Sequence, residues 1–253
     1  HFFLFSASNI VLARIMSKKK SSSIKPTIET DRVIEIAQEN HSPRRFQKLP
    51  YLLLLIAAIF VYGNSTLNEY ALDDQLAIYD NKFVLKGVDG LKDIFTKDAF
   101  VGFFGERGSK LITGGRYRPL SFATFALEYE LYGLQPHISH AINLMLYVAL
   151  AALIYYFLSL IYPPDEKADS WKTYLWSIPF IASMLYLLHP IHTEVVANIK
   201  GRDEMMCLIF SLSTVIFSWK YWESNSLKWL AYAFIAYFLA LMSKENAITF
   251  LAI

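Results

Sequence analysis

Two adjacent carboxylates, Asp73 and Asp74, follow closely on one of the most apolar runs of this chain. At the mouth of a membrane cavity, a carboxylate can act as general base toward a hydroxyl group. A like-charged neighbour disfavours ionisation and raises basicity, unless a cation offsets the repulsion. The doublet could also hold a divalent ion such as Mg²⁺ or Mn²⁺ through oxygen ligands. A solvated loop start, or an N-cap for a helix over 75–80, is the plainer alternative.

Positively charged side chains recur in three other short motifs that border apolar segments, namely RYRP, GRDE and SKEN. Guanidinium groups bind phosphate through paired hydrogen bonds, but near a membrane they also snorkel toward lipid head groups. Charges at a membrane boundary usually pair or line a water-filled site. Arg202 could therefore form a structural pair with Asp203, and Lys244 could anchor a helix end. The candidate phosphate-binding residues are Arg116, Arg118, Arg202 and Lys244.

The motif HPIHTE places His189, His192 and Glu194 at a spacing that superficially resembles a metal box. Pro190 breaks the helix between the two histidines, and no third strong ligand lies nearby in the sequence. We therefore favour helix capping and hydrogen bonds in a cavity wall over a metal site. The acids of GRDE and SKEN are candidates for the same wall. The candidate cavity-lining residues are therefore His189, His192, Glu194, Asp203, Glu204 and Glu245.

The composition of the whole chain is that of a membrane protein. Of its 253 residues, 55% are hydrophobic and only 18% are charged, whereas soluble domains carry about 25% charged residues. The charges cluster between long uncharged runs, which is the pattern of a polytopic membrane protein. The formal net charge of +2 gives no argument for a nucleic-acid partner. A single cysteine, Cys207, excludes an intrachain disulfide.

The sequence divides into four parts. Residues 1–48 are rich in Ser, Lys, Arg and Glu, so we expect a disordered basic segment, in which 1–15 are translated upstream sequence. Residues 49–68 carry no ionisable side chain and are long enough to cross a hydrocarbon core about 30 Å thick. Residues 69–136 form a long loop, and 137–253 are predicted to hold transmembrane helices two to six. Because the sixth stops inside AITFLAI, we expect the N-terminal part of a longer protein.

Basic residues ahead of the first span place the N-terminus in the cytoplasm; they are Lys18, Lys19, Lys20, Arg44, Arg45 and Lys48. The loop that follows then faces the other side, and alternation of the spans brings DDQ, RYRP, HPIHTE, GRDE and SKEN to that same face. Within the loop, helical spacing predicts an amphipathic helix over 118–133 along the membrane interface. The predicted fold is an all-α polytopic membrane protein whose first extracytoplasmic loop carries interfacial helices.

Four segments resemble one known family in the same order: YALDDQLAIYDNKFV, GGRYRPLSFATFALEYELYGLQPHISHAINLMLY, LLHPIHTEVVANIKGRDEMMCLIFSLS and LALMSKENAIT. The family is the transmembrane and tetratricopeptide-repeat O-mannosyltransferases of the C-type glycosyltransferase superfamily, which has bacterial relatives. The resemblance covers about residues 64 to 253. It implies a helical bundle with a lumenal or periplasmic active site, a polyprenyl-phosphate sugar donor and an acidic pair in the first outer loop, matched by Asp73 and Asp74. The family pattern Gly-Arg-Ala-Asp is replaced here by Gly-Arg-Asp-Glu at 201–204.

The function hypothesis is inverting transfer of a sugar, mannose by resemblance, from a polyprenyl phosphate to a protein hydroxyl. Asp73, with Asp74 as second choice, takes the proton, and the cations stabilise the leaving phosphate. The alternatives are a transporter or flippase of a lipid-linked saccharide and a non-catalytic assembly subunit. The ionisable residues sit at span ends rather than mid-span, which favours the enzyme. We expect a bacterial inner membrane, with the endoplasmic reticulum membrane as the alternative.

Overall fold

The computed structural model of the chain describes residues 46–71, 73–109, 116–164 and 170–252. The predictions for 1–45, including the disordered basic segment and most of its orienting charges, lie outside these residues. The described parts of the chain are helical and contain no strand. The α-helices are α1 (Leu49–Tyr62), α2 (Leu91–Thr96), α3 (Val101–Ser109), α4 (Pro119–Tyr132), α5 (Pro136–Ile161), α6 (Trp171–Leu175), α7 (Ile178–Leu188), α8 (Thr193–Ala197), α9 (Arg202–Ser224) and α10 (Leu227–Ser243).

Three stretches of helix are long and apolar enough to cross a membrane: Leu49–Leu67, Pro136–Ile161 and Ile199–Ser224. A fourth candidate is the pair Ile178–Leu188 and Pro190–Ala197, which is bent by 52°. These spans confirm the all-α polytopic membrane fold. The exact division into a first span, an outer loop and five further spans stays a prediction, because the spans are identified by length and composition. The segment predicted to begin a sixth span, Glu245–Ala252, is a 3₁₀ helix.

The first core cluster joins α1, α5 and α7 along their length. Its buried members include Leu54, Ala58, Leu144, Ala151 and Leu187. Tyrosine hydroxyls tie the same helices together at one end, because Tyr62 and Tyr147 both donate to the carbonyl oxygen of Leu187, at 3.2 and 3.0 Å. At the other end the rings of Tyr51 and Tyr155 meet edge to face, 4.9 Å apart. The C-terminal end of α1, the N-terminal end of α5 and the C-terminal end of α7 therefore lie at one end of the bundle.

The segment between α1 and α4 packs onto α4 and forms a second core with it. Its buried side chains include Ile78, Val84, Ile94, Phe122 and Phe125. Ile199, which precedes α9, is fully buried in the same cluster. A helix thus lies where the sequence predicts one, at 118–133, and its buried face turns toward the loop and the start of α9. This second core fixes the loop against the end of the bundle at which α9 begins.

Helices α9 and α10 form an antiparallel hairpin. Asn225 connects them in a left-handed conformation, with φ of 51°. Small residues on α10, including Ala236 and Ala240, are buried and let the helices approach closely. Cys207 on α9 is buried against Ala240. The C-terminal end of α10 therefore lies beside the start of α9, where Lys244 and Glu204 form an ion pair.

Candidate active site

Charged side chains from all the sequence motifs except HPIHTE meet around the first turn of α9. We call this group the charged cluster. Four ion pairs define it: Asp73 with Lys200, Arg118 with both Asp203 and Glu245, and Arg202 with Glu128. A fifth ion pair, between Lys244 and Glu204, completes it. The convergence of these motifs on one end of the bundle follows from the helix order described above.

Asp74 is fully buried and acts as a clamp between the outer loop and the turn before α9. Its carboxylate accepts hydrogen bonds from the backbone N–H of Ala71 at 3.0 Å and of Lys200 at 2.9 Å. Burial raises the pKa of the Asp74 carboxyl, and these backbone donors act in the opposite direction. A carboxylate that is enclosed and saturated in this way holds the backbone and is poorly placed to meet a substrate.

Asp73 points the other way and leaves its carboxylate accessible. Its side chain is 59% exposed, and its Oδ2 atom lies 3.1 Å from Nζ of Lys200. The doublet therefore divides into an inner structural acid and an outer acid that a substrate can reach. The sequence prediction favoured Asp73 over Asp74 as the base, and this division gives a physical reason for that order.

The turn that carries Lys200 is held from several sides. The Asn198 side chain accepts the N–H of Lys200 at 3.1 Å. The Asn143 amide donates to the carbonyl oxygens of Asn198 and Ile199, at 3.2 and 3.0 Å. Gly201 follows, and a Cβ at this position would collide with the backbone carbonyl of Val195. The chain can reach the start of α9 by this path only because residue 201 has no side chain.

Arg202 is buried in a polar network and does not fit the prediction that it binds a donor phosphate. Only 1% of the surface of Arg202 is exposed. Its guanidinium donates to Asn143 Oδ1 at 2.9 Å, Glu128 Oε2 at 2.8 Å and the Ser139 carbonyl at 3.2 Å. Every guanidinium nitrogen thus has a protein partner. The structure gives Arg202 the other predicted role, a structural ion pair, but with Glu128 in place of Asp203.

Arg118 is also occupied by carboxylates of the protein. Its Nη1 atom lies 2.6 Å from Asp203 Oδ2, while Nε and Nη2 form a two-pronged contact with Glu245 at 3.0 and 2.6 Å. The Arg118 side chain is 7% exposed. The guanidinium holds the pKa of the Glu245 carboxyl below its ordinary value. The prediction that Arg118 holds the phosphate does not fit these contacts, because all three guanidinium nitrogens already bind carboxylates of the protein.

Of the remaining predicted cations, Lys244 belongs to the charged cluster and Arg116 does not. Lys244 is paired with Glu204, and burial lowers the pKa of its ammonium group. Arg116 lies farther along the outer loop, where its guanidinium covers the ring of Phe100 at 5.2 Å. The backbone N–H of Arg116 donates to Asp98 at 2.6 Å.

His192 lies beside the charged cluster, at a cavity of about 280 Å³ between α5, α7, α8, α9 and the final 3₁₀ helix. Nδ1 of His189 accepts the N–H of Ile191 at 3.2 Å and so caps the short 3₁₀ turn. His192 packs on the ring of Tyr186, with centroids 4.3 Å apart. The cavity is lined by Tyr147, Leu150, Tyr186, His192, Val195, Glu204, Met205, Cys207, Leu208, Asn246, Thr249 and Phe250. Of the six predicted lining residues, His192 and Glu204 belong to this set, whereas His189, Glu194, Asp203 and Glu245 do not.

The structure offers little support for a metal ion at the doublet. Among the described residues no group of three or more His, Cys, Asp and Glu side chains is arranged to hold one. Asp74 turns its oxygens to backbone N–H groups and Asp73 turns toward Lys200. The two carboxylates therefore do not converge on a shared point, and a divalent ion there stays a prediction.

Three residues of the site were missed by sequence reasoning: Lys200, Glu128 and Asn143. Asn143 lies inside a span with no Asp, Glu, Lys or Arg, and a polar side chain within a span is a signal of function or packing. Lys200 stands directly before GRDE, but its position in the sequence does not predict a contact with residue 73. Glu128 lies within the amphipathic helix predicted over 118–133, where a charged residue is expected on the polar face.

Comparison with known proteins gives a consistent set of relatives. The chain is 34% identical over 182 residues to a protein O-mannosyl-transferase of Caenorhabditis elegans, over 72% of the chain and 24% of that relative. It is 35% identical over 162 residues to protein O-mannosyl-transferase TMTC1 of Homo sapiens, over 64% of the chain and 17% of the relative. Protein O-mannosyl-transferase TMTC3 of Homo sapiens is 32% identical over 195 residues, 76% of the chain and 20% of the relative.

The chain thus spans about a quarter or less of the length of these curated relatives. No family model and no solved structure matches it.

Proposed function

The chain belongs to the family of transmembrane and tetratricopeptide-repeat O-mannosyltransferases, and from this premise we propose that it forms part of an enzyme that moves mannose from a polyprenyl phosphate to a protein hydroxyl. The names of the relatives support mannose as the sugar and a protein as the acceptor. The polyprenyl-phosphate donor is the class that the family resemblance implies. Because the chain covers a minor part of each relative, the activity belongs to the longer protein.

The observation that carries the proposal is the position of Asp73. It is an exposed carboxylate that pairs with Lys200, at the end of the bundle where the buried ion pairs of Arg118 and Arg202 also lie. A general base must be accessible to the acceptor and must lie near the leaving group's binding site. Within the acidic doublet only Asp73 meets the first requirement, because Asp74 is buried.

The reaction follows from this arrangement. The acceptor hydroxyl loses its proton to the Asp73 carboxylate while its oxygen forms a bond to the anomeric carbon. The bond between that carbon and the phosphate oxygen breaks, and polyprenyl phosphate leaves with the electron pair. The base and the leaving group lie on opposite faces of the sugar, so the configuration is inverted. Lys244, at the edge of the cavity through its partner Glu204, stabilises the negative charge that develops on the phosphate.

The membrane in which this occurs is proposed to be that of the endoplasmic reticulum, with the charged cluster on the lumenal side. The relatives are animal proteins, which supports the second of the two predicted locations over a bacterial inner membrane. The hydrogen bonds that join α1, α5, α7 and α9 support this proposal, because an interfacial enzyme needs its site at one end of the bundle.

The test is the Asp73→Asn exchange in the full-length protein, reconstituted with labelled polyprenyl-phosphate mannose and acceptor peptides. We expect transfer to fall by about 10²–10⁴-fold, the contribution of a positioned general base. Asp89→Asn is the matched control, because Asp89 is another exposed acid of the same loop, and it should transfer at the wild-type rate. Full activity of a stably inserted Asp73→Asn protein would refute the assignment. Movement of the labelled lipid across the bilayer without transfer would favour the transporter alternative.

A further inference from the structure

Lys200 is the residue that links the outer acid to the rest of the site. Its Nζ atom lies 3.1 Å from Asp73 Oδ2, and the lysine side chain is 20% exposed while the carboxylate is 59% exposed. The pair is accessible to solvent, where an ion pair is worth only about 0.2–1 kcal/mol. Such a contact orients both groups in the resting protein, yet it is weak enough to be exchanged for another.

The backbone and the side chain of Lys200 are held very differently. The backbone N–H donates to Asp74 Oδ1 at 2.9 Å and to Asn198 Oδ1 at 3.1 Å. Its neighbour Ile199 is fully buried. By contrast, the described contacts of the ammonium group are with Asp73 alone. A lysine ammonium on a flexible four-carbon stem can therefore move while its anchor stays fixed.

A second cation, Lys244, is tied to the helix turn that follows Lys200. It forms an ion pair with Glu204, which stands four residues after Lys200 in the first turn of α9 and lines the cavity. The positive charge of Lys200 is also one of the smaller influences that lower the pKa of Lys244, after burial and Arg118. The two ammonium groups repel each other in the absence of an anion, and an anion that enters between them relieves that repulsion. Arg118 is held by two carboxylates at once, and every guanidinium nitrogen of Arg202 has a protein partner. The described ammonium contacts of Lys200 and Lys244 are with one carboxylate each, so the lysines are the cations that can exchange a partner for a phosphate.

We propose that Lys200 exchanges partners during the reaction: it holds Asp73 in the resting protein and moves to the donor phosphate, next to Lys244, when the donor binds. The inference rests on the proposed function and deepens it, because it makes Lys200 a positioning residue that couples donor binding to the activation of the base. While Lys200 is paired with Asp73, its ammonium group occupies an oxygen of that carboxylate. After the exchange, the carboxylate is free to accept the acceptor's proton.

The charges balance through this sequence. The bound donor is a phosphodiester with one negative charge, and Asp73 carries another. After transfer Asp73 is protonated and neutral, and the polyprenyl phosphate has gained the negative charge that Asp73 lost. Lys200 therefore stands beside the phosphate at the moment when its charge increases, which is where a cation stabilises the transition state.

The exchange makes a thermodynamic prediction that needs no turnover. Asp73 and the phosphate compete for Lys200, so removing the charge of Asp73 should tighten the binding of polyprenyl phosphate, although residue 73 does not contact it. In the full-length protein in nanodiscs, we expect Asp73→Asn to bind a short-chain polyprenyl phosphate roughly two- to fivefold more tightly than wild type, which corresponds to an accessible ion pair of about 0.5–1 kcal/mol. Lys200→Met should bind it more weakly, and Lys200→Arg should restore the affinity.

The double variant Asp73→Asn with Lys200→Met should bind like Lys200→Met alone, because Asp73 acts on the phosphate only through the lysine. Lys86→Met is the matched control. Lys86 makes an ion pair of the same length, 3.1 Å, with Asp93 in the same outer loop, and its removal should leave the affinity unchanged.

Two results would overturn the inference: equal affinity of Asp73→Asn and wild type, or a gain in the Asp73→Asn protein that survives removal of Lys200. The Asp73→Asn comparison stands even where Lys200→Met does not fold. The failure of the proposed function gives a different pattern. If the predicted affinities are observed but wild type transfers no mannose from labelled donor, the exchange of Lys200 stands and the transferase assignment falls.

Discussion

Arg118 and Glu245 are 127 positions apart in the sequence, and two hydrogen bonds of 3.0 and 2.6 Å join the guanidinium of the first to the carboxylate of the second. The remaining arm of the guanidinium binds Asp203 at 2.6 Å. One side chain thus ties the outer loop to the start of α9 and to the segment after α10. Arg118 therefore holds these three segments together, and its guanidinium is bound to the protein rather than to a ligand.

The first prediction concerns the loss of this tie. Arg118→Met leaves the carboxylate of Asp203 buried without its partner, and breaking a buried ion pair from one side costs about 3–5 kcal/mol. We expect a marked fall in the thermal unfolding midpoint of the detergent-purified protein. Arg116→Met is the control, since Arg116 is exposed, and surface exchanges usually stay within about 0.5 kcal/mol. Equal midpoints for the two variants would contradict the structural role of Arg118.

The second prediction is a pH dependence that passes through Glu245. The pKa of its carboxyl is lowered from an ordinary value of 4.5, chiefly by the hydrogen bond from Arg118. A lowered folded-state pKa contributes stability above the unfolded value, and that stability is lost as the pH falls through the folded-state pKa. The unfolding midpoint of wild type should therefore drop as the pH is taken below about 4.5. Glu245→Gln, which cannot titrate, should start lower at neutral pH and lose less on acidification. Parallel curves for the two proteins would count against this linkage.

Much of the fold follows from the sequence, because uncharged runs of sufficient length identify the spans and their alternation brings the motifs to one end. The division of roles inside the site does not follow. Asp73 and Asp74 are chemically identical neighbours, and the contacts of Asp74 with the backbone of Ala71 and Lys200 distinguish them. The guanidinium of Arg202 suggests phosphate binding, and its actual partner Glu128 is hidden from the sequence because it lies 74 positions away. Sequence spacing cannot pair residues that the fold brings together from separate helices.

The third prediction separates the structural role of Arg202 from the phosphate-binding role first expected. Arg202→Met leaves the buried carboxylate of Glu128 unpaired, which should cost about 3–5 kcal/mol. Replacing both partners, Arg202→Met with Glu128→Gln, removes the uncompensated charge and should recover part of that loss. The measurement is the unfolding midpoint of the three proteins. A double variant no more stable than Arg202→Met alone would argue against a pairwise contribution from Glu128.

The fourth prediction tests the close approach at Gly201. A Cβ at this position would meet the carbonyl of Val195, so Gly201→Ala must shift the turn that carries Lys200. Overpacking of this kind costs about 1–3 kcal/mol. Gly63→Ala is the matched control, because its Cβ would find its nearest neighbour at 3.6 Å, an ordinary contact with Ile59. If Gly201→Ala unfolds at the same temperature as Gly63→Ala, the constraint on this turn is not the one described.

The last prediction sets the two acids of the doublet against each other. Asp74→Ala removes a fully buried carboxylate that accepts from the N–H groups of Ala71 and Lys200, of which only the second keeps another acceptor, Asn198. Hydrogen bonds to a charged group contribute about 1.5–3 kcal/mol, so Asp74→Ala should be less stable and should lose activity with its fold. Asp73→Asn removes only an accessible ion pair and should unfold within about 1 kcal/mol of wild type. It should nevertheless lose mannose transfer, because its carboxylate is the proposed base.

Unfolding midpoints and transfer rates measured on the same preparations separate the effects. An Asp74→Ala protein that is stable and inactive beside an active Asp73→Asn protein would reverse the assignment, since the buried acid would then be the one that the reaction requires.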